Sequence, residues 1–74
     1  MTREEEISWG AVEDSMRKAD IVAVKAGTMT LEMAQKRARA RVRRSGMTPT
    51  KAHHALADAQ RLMRRGNTMG SANG

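Results

Sequence analysis

Arg41-Val42-Arg43-Arg44-Ser45-Gly46-Met47-Thr48-Pro49-Thr50-Lys51-Ala52-His53-His54-Ala55-Leu56 is the stretch on which the reading of this chain turns. Gly46 can adopt the positive φ of a tight reversal without steric cost, so it closes the helix before it. Thr48 followed by Pro49 is a hydroxyl cap and then a proline at the first helical position, where its missing N–H is not needed. Upstream, Thr28 or Thr30 caps a helix running from Leu31 to about Arg44. Leu31, Ala34, Ala38 and Val42 share one face of that helix, and Lys36, Arg37, Arg39, Arg41, Arg43 and Arg44 spread over the rest. Downstream, a helix runs to about Arg65 and stops at Gly66, with Ala52, Ala55, Leu56, Ala59, Leu62 and Met63 as its apolar face. Lys51, His53, His54, Gln60, Arg61 and Arg64 lie on its outer side. Residues 67–74 are small and polar, which predicts a flexible tail after a single domain over 1–66.

Working toward the N-terminus, Thr2 followed by Glu5 is a capping-box pattern that starts a first helix at Arg3. Trp9, Val12, Met16, Ala19, Ala23 and Ala26 recur at alternating spacings of three and four, one helical stripe, and Gly27 is a natural stop. Gly10 interrupts the pattern and weakens the case for an unbroken helix. Ile7, Ile21 and Val24 lie off the stripe, which makes the helix either buried on more than one side or in contact with another copy or partner. The β-branched run Ile21-Val22-Ala23-Val24 finds no second strand to pair with, so helix is the better reading. The expectation is an all-α protein of three helices.

Composition narrows the class further. Seventy-four residues hold one domain, and Trp9 is the sole aromatic. Much of the apolar content is alanine, which buries little area, so the hydrophobic gain barely offsets the entropy of ordering the chain. Self-association or a bound partner is therefore expected. No cysteine is present to staple the fold or bind metal, no apolar run approaches a membrane span, and Met1-Thr2-Arg3-Glu4-Glu5-Glu6 does not resemble a secretory signal. A cytoplasmic location is the default expectation. Residues 1–32 carry seven acids and four bases, whereas residues 33–74 carry ten bases and the single acid Asp58. That asymmetry predicts an anionic partner for the second half: nucleic acid, an acidic protein, or the acidic first helix of a neighbouring copy.

The quoted stretch resembles the turn of a helix-turn-helix module. Gly46 supplies the turn, Val42 and Met47 are apolar where such modules bury side chains, and Ala52 and Ala55 fall where the second helix packs on the first. The resemblance implies that the third helix enters the major groove of DNA, with Thr50, Lys51, His53, His54 and Arg61 facing it. The arginines of the second helix would grip phosphates on the flanks. Two departures stand against it: a longer second helix, and alanines in place of branched aliphatics. A helical hairpin joined by a glycine turn is the competing reading. Thr48-Pro49, Ala52, Leu56 and Ala59 are also similar to a pattern in small RNA-binding helical domains.

Six bases in the nine residues 36–44, with no acid among them, repel one another at neighbouring helical positions. A plain solvated face mixes signs, so a functional basic face is the favoured reading. Ten arginines to four lysines suit phosphate or carboxylate recognition, although base composition of the genome produces the same bias. His53 and His54 point about 100° apart on a helix and cannot chelate one ion. Asp58 is positioned to pair with His54 or Arg61, and Glu4 to Glu6 with Glu13 and Asp14 read as an exposed acidic face. No nucleophile set or phosphate loop occurs, so the expectations are no enzymatic activity, cofactor, metal or small-molecule ligand. They leave a DNA-binding regulatory or accessory protein, or a non-enzymatic assembly or adaptor protein docking on an acidic partner.

Overall fold

The computed structural model describes the backbone of residues 1–73 and the side chains of residues 1–65. It is all-α: α1 spans Arg3–Lys25, α2 Leu31–Ser45 and α3 Pro49–Asn73. The caps read from sequence are in place. Thr2 and Glu5 form the full capping box, and Thr30 Oγ1 accepts the Met33 N–H at 3.1 Å. Thr48 Oγ1 accepts the Lys51 N–H at 3.2 Å. After α1 the chain turns through Gly27 at φ 79°, with Thr28 N–H donating to Ala23 O and Gly27 N–H to Val24 O. Gly46 closes α2 at φ 78°. These two glycines take the left-handed backbone that L side chains avoid, which is why the chain reverses there. α3 does not stop at Gly66. A glycine inside a helix costs about 1 kcal/mol relative to alanine and does not by itself end one. The flexible tail expected over 67–74 lies outside the described side chains.

The three helices form a flattened body of 40 × 32 × 14 Å. α2 and α3 both pack on α1 and scarcely on each other. This departs from the helix-turn-helix pattern, in which α3 would pack on α2. Ala52, Ala55 and Ala59 are buried on the α1 side instead, because Gly10 lets α3 approach there: a methyl group at Gly10 would lie 2.4 Å from the Ala55 carbonyl oxygen. The glycine that weakened the helical reading is the contact point between two unbroken helices.

The inward stripe of α1 is Glu6, Gly10, Glu13 and Asp20, all buried, with Val24 half-buried. Gly10, Glu13, Asp20 and Val24 each lie one residue beyond Trp9, Val12, Ala19 and Ala23 of the stripe read from hydrophobicity, about 100° around the helix. Val12 is 62% exposed and Val22 65%, whereas Trp9 is half-buried. The buried apolar residues among those described are the three alanines of α3. An accessible surface of 5560 Å² exceeds the roughly 4,500 Å² typical of a monomer of this mass.

Candidate interaction surface

The acidic side chains of α1 meet basic ones from α2 and α3, and this pairing positions everything at the surface. Glu13, 1% exposed, receives Arg41 through two hydrogen bonds, Nε to Oε1 at 2.5 Å and Nη2 to Oε2 at 3.2 Å. Arg41 also reaches Asp20 at 3.3 Å, and Arg37 approaches Asp20 at 3.4 Å. Arg17, one turn along α1, closes on Glu13 at 2.8 Å. Glu13's hydrogen bonds are the main reason the Arg41 pKa is raised further above its ordinary value, with Asp20 adding to them. On the α3 side, Lys51 pairs with Glu6 at 3.6 Å and the Gln60 amide donates to Asp14 at 2.9 Å. Asp14 is held below the usual carboxylate range first by Gln60 and then by Lys18. Asp58 is lowered likewise by Arg3 and then Arg61, which bind its two oxygens. No buried polar side-chain atom among the described residues lacks a hydrogen-bond partner.

Glu6, Glu13 and Asp14 are therefore not part of an exposed acidic face. They are buried because each is paired across a helix interface or along α1, which lowers the desolvation cost of an ionised carboxylate. The signal was present in the sequence as Glu6, Glu13 and Asp20 at spacings of seven, opposite Arg37 and Arg41 at a spacing of four. Hydrophobicity-based reading skips it, since charged positions are assigned to solvent by default.

Of the residues expected to contact nucleic acid, Arg41 is buried and its guanidinium faces Glu13 and Asp20. Lys36, Arg37, Lys51 and Arg61 are surface side chains paired with Glu32, Asp20, Glu6 and Asp58. Thr50, His53 and His54 are exposed, the two imidazoles 6.2 Å apart. Arg39, Arg43 and Arg44 are exposed and form no ion pair with the described residues. Asp58 takes Arg3 and Arg61, and not His54, as its partners. Ile7 lines a cleft against α3, Ile21 one against α2, and Val24 is half-buried.

The apolar stripe of α2 is open to solvent. Leu31 is 62% exposed, and Ala34, Ala38 and Val42 are half-buried. They line adjoining clefts of about 190 and 350 Å³, the second bounded by Arg17, Arg39, Arg43 and Pro49. A third of about 240 Å³ continues past Val42 and Pro49 to Trp9 and Leu56. Arg17 borders all three clefts, so they form one shallow trough with an apolar floor and a cationic rim. Among the described residues no cluster of three metal-ligating side chains occurs, and no helix is long and apolar enough to cross a membrane. Compared with known proteins, the chain matches no family model, no curated protein and no solved structure.

Proposed function

We propose that this protein is a non-enzymatic assembly or adaptor module, a minor structural component or an inhibitor, that docks its basic helices on an acidic partner protein. The observation that carries this reading is the inversion of the fold. Val12, Ile21, Val22, Leu31 and Leu62 are exposed and Ile7, Val24, Val42 and Leu56 only half-buried. The fully buried side chains among the described residues are three alanines and a set of ion-paired ones. A domain with so little buried apolar area gains stability from any surface that covers those aliphatics. The unpaired arginines at the end of α2 set the sign of that surface.

A second reading, DNA binding, is supported by Arg39, Arg43 and Arg44, whose guanidinium groups are free to take phosphates. It draws on fewer groups than the sequence suggested, because Arg37 and Arg41 are committed to Asp20 and Glu13. Competition between poly-glutamate and duplex DNA for the labelled chain separates the two readings. At about 50 mM salt, the permissive end for phosphate contacts, the acidic polypeptide is expected to win. DNA winning, with a steep salt dependence that Arg39→Ala and Arg43→Ala each flatten by about one, would replace the adaptor reading with the DNA-binding one.

A further inference from the structure

Resting on the adaptor reading, we infer that the trough along α2 is the seat of one kind of partner element: an acidic amphipathic helix. Its apolar side chains lie on Ala38, Val42 and Pro49, and its carboxylates reach Arg39 and Arg43.

Charge complementarity selects this occupant. Arg39 and Arg43 stand one helical turn apart on the same rim, a spacing of about 6 Å that matches carboxylates three or four residues apart on a facing helix. Neither has an acidic partner within the described chain, and both line the wall of the 350 Å³ cleft. A second copy does not supply the charge. Among the described residues Glu4 and Glu5 are the acids without a cationic side chain beside them, whereas Lys25, Arg39, Arg43, Arg44 and Arg65 lack an acidic one. Copies packed together would remain strongly positive. Bare phosphate backbone uses the rim and leaves the floor wet. A flat anionic bilayer can take up Leu31 at one end but does not follow a trough whose floor is the half-buried Ala34, Ala38 and Val42. An apolar stripe flanked by carboxylates uses both floor and rim, in the helix-in-groove manner.

The test uses the full chain and synthetic helical peptides read by fluorescence anisotropy. One peptide carries glutamates in i, i+4 pairs beside a leucine stripe, and a second keeps the glutamates with serines for the leucines. The leucine peptide is expected to bind about tenfold or more tighter, the scale of burying one leucine. Arg39→Glu with Arg43→Glu should abolish that binding, whereas Arg44→Glu, outside the clefts, should weaken it only slightly. Circular dichroism of each variant checks that the helices persist, and all three arginines are exposed. Equal binding of the two peptides would overturn the trough while leaving an acidic partner in place. So would loss caused by Arg44→Glu as large as that caused by the double change. Failure of both peptides to bind at about 50 mM salt would overturn the trough and the adaptor reading together. Preference for anionic phosphatidylserine vesicles or duplex DNA over the leucine peptide would replace the helix with that surface.

Discussion

At Gly10 the absence of a side chain decides how two helices meet. Replacing an interior helical glycine by alanine ordinarily stabilises a helix by about 1 kcal/mol. Here the new methyl would stand 2.4 Å from the Ala55 oxygen and 2.8 Å from its carbonyl carbon, so α3 must move away. Gly10→Ala is therefore expected to lower stability by about 1–3 kcal/mol in urea denaturation, the usual cost of overpacking. A gain in stability would show that α3 does not sit where it is placed. Arg41 makes the complementary case. Removing it leaves Glu13 buried with Arg17 alone, and breaking a buried pair from one side costs about 3–5 kcal/mol. Arg41→Met should leave the chain largely unfolded by circular dichroism at ambient temperature, since a domain of this size has little more than that in reserve. Pairing it with Glu13→Leu should restore much of the loss, because the carboxylate without its main partner is then gone.

The flanking helices meet α1 mainly through polar side chains, and Arg3 of α1 also reaches Asp58 of α3. α1 offers carboxylates along one stripe, α2 answers with Arg37 and Arg41, and α3 with Lys51 and Gln60. The α1–α3 contact is the one whose acid sensitivity can be signed. Asp14 and Asp58 both have lowered pKa values, so the folded chain binds their protons more weakly than the unfolded chain does. Their contribution is complete above the unfolded value of 3.8 and is lost as pH falls through the still lower folded values. The urea midpoint should hold steady from neutrality to about pH 5 and fall below about pH 4. Gln60→Ala should shrink that acid dependence, as Gln60 is the main cause at Asp14. A midpoint unchanged down to about pH 3 would contradict these couplings.

For the molecule as a whole, the unusual quantity is how much aliphatic surface is left in water. Val12 and Val22 are both more than 60% exposed, as is Leu31. Val12→Gln with Val22→Gln should change the stability of the isolated chain by no more than about 0.5 kcal/mol each, as for other surface positions. A loss above about 2 kcal/mol would restore the stripe read from hydrophobicity as the true core face. A body 14 Å thick with both flanking helices held by ion pairs to one spine also leaves broad open faces. Those open faces support the proposal that the chain is a component of a larger assembly.

The opening stretch shows where legibility ended. Gly46, Thr48 and Pro49 specify their turn and cap by their own backbone chemistry, so the number of helices, their starts and the breaks at Gly27 and Gly46 were readable without any partner in space. The period of α1 was readable too, because 3.6 residues per turn is a property of the backbone. Its phase was not. Sorting by hydrophobicity assumes that apolar residues face inward, and here Glu13 and Asp20 face inward because Arg41 arrives from a segment more than twenty residues away. The same fact redistributed the basic surface: Arg41 became interior, Arg37 became a clasp, and Arg39, Arg43 and Arg44 were left to face the outside. Local sequence determined the elements and their ends. Tertiary structure alone decided which charges neutralise one another, since that depends on which helix lies beside which.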